Sequence, residues 1–108
     1  MNPETQSGRR NHPRTPIEIP VVLIATAYGT TSIFSGRSYD LSEGGIRVFT
    51  SGRLRESQSV SLEFKIPDNP VPMKMYAQVK YTSNEYCGMQ FVTPSENQLN
   101  QIRSILMN

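Results

Sequence analysis

Through most of the chain, hydrophobic and polar residues alternate with a period of two, the spacing that lays one face of a β-strand against a core. The clearest run is Ser59 to Ile66, where Val60, Leu62, Phe64 and Ile66 point one way and Ser61, Glu63 and Lys65 the other. Met73, Met75, Ala77, Val79 and Tyr81 repeat the pattern against Lys74, Tyr76, Gln78 and Lys80. Earlier, Ile17, Ile19, Val21 and Leu23 alternate with Glu18, Pro20, Val22 and Ile24 in a segment that runs to Ala27. Pro20 has no amide hydrogen to give a ladder, which predicts an edge position or a bulge. Ala27-Tyr28-Gly29-Thr30 reads as a turn, Thr31 to Tyr39 as a second strand with Gly36 as its bulge, Ile46 to Phe49 as a short third, and Tyr86 to Val92 as the last.

Six strands with short connections favour an antiparallel barrel, because closure removes the unpaired edges an open sheet would leave. The period then changes. Thr93-Pro94-Ser95-Glu96 predicts a capping box with proline at the first helical position, and Leu99, Ile102, Ile105 and Leu106 recur at helical spacing. The predicted architecture is therefore mainly β: a six-stranded antiparallel β-barrel over 17–92, one C-terminal α-helix over 94–107, and a flexible N-terminal arm over 9–16. Residues 1–8 are polar and read as a disordered tail. A length of 108 residues supports one modest core, so 9–108 is taken as a single domain.

Composition narrows the function. The longest apolar run, Val21 to Ala25, is too short to cross a bilayer, and residues 1–15 lack the apolar centre of a secretion signal. Cys87 is the one cysteine, without a companion for a disulfide or a metal. A cytoplasmic protein with no membrane span is expected. The net charge of +2 is too small to draw nucleic acid or membranes unselectively. Its distribution says more: arginine outnumbers lysine eight to three, and three of the eight lie between Arg9 and Arg14. The planar guanidinium matches phosphate oxygens and the guanine O6/N7 edge in a way that lysine does not.

Two short pieces carry the candidate chemistry. In Arg9-Arg10-Asn11-His12-Pro13-Arg14, Pro13 and the following Pro16 oppose a helix, so Arg10 and Arg14 sit on an arm that can bend around a guest. Asp40-Leu41-Ser42-Glu43-Gly44-Gly45 offers a carboxylate, a hydroxyl and two glycines in an expected turn, where a ligand can come close to the backbone. Asp40 either bonds its own backbone in an Asx-type turn or, since an ionised carboxylate only accepts, takes the adjacent donors of a ligand edge such as the N1 and N2 protons of guanine, a pair that adenine lacks. Ser42 either bonds the ligand or supports the turn, Gly44 and Gly45 can permit positive φ, and Arg47 faces either the site or solvent. His12 stands alone. No triad, phosphate-binding glycine loop or metal cluster is legible, so no enzyme activity, metal or cofactor is expected.

The R-x-x-x-R of Arg10 to Arg14, followed by the D-x-S-x-x-G of Asp40 to Gly45 and by Gly88-Met89-Gln90-Phe91 at the end of the last strand, resembles the PilZ domain. The resemblance covers nearly the whole chain and implies a receptor for cyclic di-GMP, a bacterial second messenger. It implies ligand contacts from Arg9, Arg10, Arg14, Asp40, Ser42, Gly44 and Gly45, with Arg47 and Gly88 as secondary candidates. Gly45 in the family's position makes room for the ligand. An arginine at position 9, directly before the motif, resembles the version that binds an intercalated pair of ligands in place of one. On this reading the ligand orders the arm, and the signal passes through an unidentified effector protein; DNA and RNA are not expected partners, and homo-oligomerisation is left open. Two other readings stand beside it: a ligand-independent interaction protein of the pilus-assembly type, and a small barrel that binds single-stranded nucleic acid.

Overall fold

The structure is a computed structural model that describes residues 13–84 and 86–107. Among the described residues, seven strands and one helix follow in order: β1 (Thr15–Pro16), β2 (Pro20–Ala27), β3 (Thr30–Leu41), β4 (Gly45–Thr50), β5 (Ser59–Phe64), β6 (Met73–Thr82), β7 (Cys87–Phe91) and α1 (Glu96–Leu106). The antiparallel pairings run β3-β2-β5-β6-β7-β4, and β4 pairs back onto β3, so six strands close a barrel. The two-residue β1 lies outside that ring and adds to β3 through Thr15 opposite Leu41 and Pro16 opposite Asp40.

The alternation predicted for β5 and β6 is what fills the barrel. Val60, Leu62, Phe64, Met73, Met75, Ala77 and Val79 are all buried, together with Val21, Leu23, Ile46, Val48, Met89 and Phe91 from the other strands. One end is closed by α1, whose Ile102 is fully buried while Ile105 and Leu106 pack against the same cluster. The Gln98 amide of α1 donates to the Lys74 carbonyl at 2.6 Å, and the Arg103 guanidinium reaches Glu43 in the β3–β4 turn at 3.0 Å.

Several boundaries differ from the sequence reading, each for a local reason. Pro20 is neither on an edge strand nor at a bulge. It is the first residue of β2 and faces only Arg37, one position before the β5 ladder begins at Val21, so its missing donor is never called on. Gly36 sits in regular register between Val21 and Thr50; the irregularity in β3 falls at Tyr39, between Ser38 and Asp40. β3 itself continues to Leu41, so Asp40 and Leu41 belong to a strand and only 42–44 form the turn. Tyr81 leaves the core face, because a second irregularity at Lys80 reverses the alternation after Val79 and leaves the ring 38% exposed. The capping box exists, but Ser95 is the N-cap and Gln98 its reciprocal partner, so the helix begins at Glu96 and Pro94 lies outside it.

The loop Tyr28-Gly29 joins β2 to β3 as a two-residue hairpin. Both residues have positive φ, 53° and 77°, which is the type I′ pattern that follows the right-handed twist of paired strands.

Candidate functional site

Asp40 is the centre of the site. It lies near the end of β3, is only 4% exposed, and its carboxylate is held from two sides. From β4, the Arg47 Nε donates to Oδ1 at 3.0 Å and to Oδ2 at 2.9 Å, while its Nη2 also donates to Oδ2. From the arm, the Arg14 Nη1 donates to Oδ1 at 3.0 Å. A carboxylate so nearly removed from water is stable only when charge-assisted hydrogen bonds replace its hydration, and two guanidiniums supply them.

The approach of Arg14 is fixed by backbone pairing. Pro16 opposite Asp40 brings the chain alongside β3, and fully buried Ser38 holds the next segment in place. The Ser38 Oγ accepts from the Ile19 N–H at 2.9 Å and donates to the Ile17 carbonyl, and the Ser38 N–H donates to the Ile19 carbonyl at 2.9 Å. Strand geometry thus begins at Thr15, inside the stretch 9–16 expected to form the arm. Arg9, Arg10 and His12 lie outside the described residues.

Arg47 is placed by register. Asp40, Arg47, Gly88 and Tyr81 are consecutive partners across β3, β4, β7 and β6, so they form one row on one face of the sheet. Glycine in that row makes room for an aromatic ring: a Cβ at Gly88 would lie 2.3 Å from the Tyr81 ring, which therefore lies across β7. The Arg47 guanidinium carbon is 4.8 Å from the centre of the Tyr39 ring and 5.1 Å from that of Tyr86, and its Nη1 donates to the Tyr86 hydroxyl at 3.3 Å. Its pKa is raised well above the ordinary arginine value, first by the hydrogen bonds to Asp40, with burial opposing. The guanidinium is a fixed charge at every accessible pH.

Beside this pair stands a wall of rings that sequence reasoning missed. Tyr39 and Tyr86 are stacked at 5.4 Å and 4° between planes, with Phe49 edge-on to both and Tyr81 edge-on to Tyr86. Tyr39 remains 46% exposed and Phe49 36%, so the wall presents aromatic faces to solvent next to a paired charge. Its members are scattered from 39 to 86 in the chain, and only the bulges at Tyr39 and Lys80 turn Tyr39 and Tyr81 outward together.

The remaining predicted residues serve the turn. The Ser42 Oγ accepts from the amides of Gly44 and Gly45, both at 3.1 Å, and the Ser42 amide donates to the Gly45 carbonyl at 2.9 Å. Ser42 is 3% exposed, and of its two predicted roles these contacts supply support of the turn. Neither Gly44 nor Gly45 has positive φ, which removes that explanation for them. Gly45 instead allows close strand approach: a Cβ there would lie 2.0 Å from the Met89 carbonyl oxygen of β7. The Gly44 carbonyl accepts from the Phe91 amide at 2.9 Å, so the turn is fastened to β7 as well as to α1. Among the described residues, no cluster of three or more His, Cys, Asp or Glu side chains is placed to hold a metal, and no helix is long and apolar enough to cross a membrane.

The family model described as "PilZ domain" matches residues 8–108, and the chain belongs to the PilZ domain family. Among solved structures, it resembles the PilZ domain of YcgR from Escherichia coli with c-di-GMP (TM-score 0.73, 20% identity, 92% of this chain and 89% of that one). It is similar in the same way to the PilZ domain of CeSA from a cellulose-synthesizing bacterium (TM-score 0.67, 22% identity, 88% and 95% covered). It also resembles the Bacillus subtilis inhibitor of motility MotI/DgrA (TM-score 0.73, 17% identity), of which it covers 50%. Comparison with curated proteins finds no match.

Proposed function

We propose that this PilZ domain is a cyclic di-GMP receptor that signals through a partner protein and carries out no chemistry of its own. The observation that carries the reading is the near-buried Asp40 carboxylate at the meeting point of the arm and β4, flanked by exposed rings. Asp40 is the acceptor for the N1 and N2 protons of a guanine, and Tyr39 and Tyr81 offer faces on which a purine stacks, an interaction worth about 1–3 kcal/mol per base. Arg14, with Arg10 and Arg9 preceding it in the chain, supplies guanidiniums for the phosphates, each charge-assisted bond contributing about 1.5–3 kcal/mol. Ser42, Gly44 and Gly45 shape the turn beside the ligand. The YcgR domain that this chain resembles was solved with c-di-GMP, which supports the same ligand class here.

The reading is tested by isothermal titration with cyclic di-GMP on the wild type and on Arg10→Ala and Arg14→Ala, with thermal unfolding alongside. Binding is expected for the wild type and weakening by tenfold or more, about 1.4 kcal/mol, for each variant. At a ligand concentration about 100 times Kd the wild type gains about 2.7 kcal/mol of stability. Absence of both heat and stabilisation in the wild type refutes the assignment.

A further inference from the structure

We propose that Arg47 is a built-in stand-in for guanine, occupying the acceptor face of Asp40 until the ligand's base edge displaces it; this rests on the cyclic di-GMP reading above. A guanine edge presents two adjacent N–H donors and needs both carboxylate oxygens. Arg47 already meets them in that manner, with its Nε and Nη2 side by side on Oδ1 and Oδ2. Arg14 takes a single bond to Oδ1 and leaves the fork to Arg47. Because Asp40 is 4% exposed, a third planar donor group has no free approach, and the group that must leave is the one bonded to both oxygens.

The surroundings suit an exchange. A charge released from Asp40 into an apolar site would be strongly disfavoured, but Arg47 lies over the rings of Tyr39 and Tyr86 and is bonded to the Tyr86 hydroxyl. These groups receive the guanidinium when the carboxylate is given up. In the free protein Asp40 is never unpaired, and in the complex one planar donor pair replaces another. A base without such a pair, adenine above all, has nothing to offer Asp40 in return for Arg47. Arg47 thereby acts as a specificity-determining residue that lowers affinity for every ligand and for non-guanine ligands most.

The test uses the full chain and three variants with one probe pair, cyclic di-GMP and cyclic di-AMP, measured by titration calorimetry. Arg47→Met keeps the stem and removes the fork; Arg47→Lys keeps the charge without side-by-side donors and guards against a Met variant that does not fold. Both are expected to bind cyclic di-GMP about tenfold more tightly than the wild type, the factor that accompanies loss of one modest charge-assisted competitor. Discrimination against cyclic di-AMP is expected to narrow in both. In the wild type, the ¹H–¹⁵N signal of the Arg47 Nε–H is expected to shift and lose exchange protection on saturation with cyclic di-GMP. Weaker or unchanged binding by a folded variant, or an Nε–H that stays protected in the complex, overturns the assignment. A wild type that binds no cyclic di-GMP removes the underlying reading too, and Arg14→Ala, which removes the arm's single bond to Asp40 Oδ1 and leaves the Arg47 fork in place, separates the cases: if it alone loses binding, the receptor reading stands whatever the outcome at Arg47.

Discussion

Arg47 faces Asp40 across the β3–β4 ladder only because Tyr39 is an extra residue in β3. Below the bulge Ser38 is opposite Val48, and in unbroken register Tyr39 would come opposite Arg47; above it the partner is Asp40. One inserted residue therefore sets a carboxylate against a guanidinium and pushes an aromatic ring to the rim of the same site.

Asp40→Ala should unfold more easily than the wild type by about 2–4 kcal/mol, since it leaves Arg14 and Arg47 without the anion they share in a largely dry site. Urea denaturation measures this. A loss below about 0.5 kcal/mol would show the pair to be as solvated as an ordinary surface bridge.

Ser38→Ala should lower stability by about 1–2 kcal/mol, because the Ile19 amide and Ile17 carbonyl lose a buried partner. The effect is local. Amide exchange at Ile19 should accelerate far more than at Ala77 of β6, three strands round the barrel from β3, and uniform acceleration would place the defect elsewhere.

The two glycines of the site should respond differently to alanine. At Gly45 the new methyl meets the Met89 backbone oxygen, which cannot retreat without opening the β4–β7 ladder, so a loss of about 2–3 kcal/mol is expected. At Gly88 it meets the far end of the Tyr81 side chain, which can swing away. Gly88→Ala should cost under about 1 kcal/mol while changing the near-ultraviolet circular dichroism of the tyrosine wall. Equal losses at the two positions would contradict this geometry.

Sequence periodicity told where the barrel walls are, because Val60 to Ile66 and Met73 to Val79 can bury their apolar side in one way only. It could not tell where the period slips. A bulge need not carry a glycine: Tyr39 and Lys80 hold those positions with ordinary side chains, while Gly36, the residue that invited the assignment, is regular. The motif residues Arg14, Asp40 and Ser42 were legible as residue types. The role of Arg47 was not, since its partner is decided by cross-strand register, and register is a property of two segments at once.

Cys87 gives the pH prediction. It is buried at the start of β7, and desolvation pushes its thiol above the ordinary value of 9.0. An acid whose pKa is higher in the folded state holds its proton longer there, so folding is favoured fully below the unfolded value and progressively less as pH rises through it toward the folded one. Stability should therefore fall between about pH 7.5 and 9.5 by more in the wild type than in Cys87→Ala, as read from urea midpoints. Identical declines would assign the alkaline loss to other groups. At neutral pH, iodoacetamide should label Cys87 slowly until the protein is unfolded.

β3 pairs with β1, β2 and β4, and its last residues carry the carboxylate of the site. The seam that shuts the cylinder and the proposed seat for the ligand are consequently the same few residues. A chain that stalls with β4 undocked has Asp40 without its opposing guanidinium, so shutting the cylinder and completing the partner set of the carboxylate are a single event.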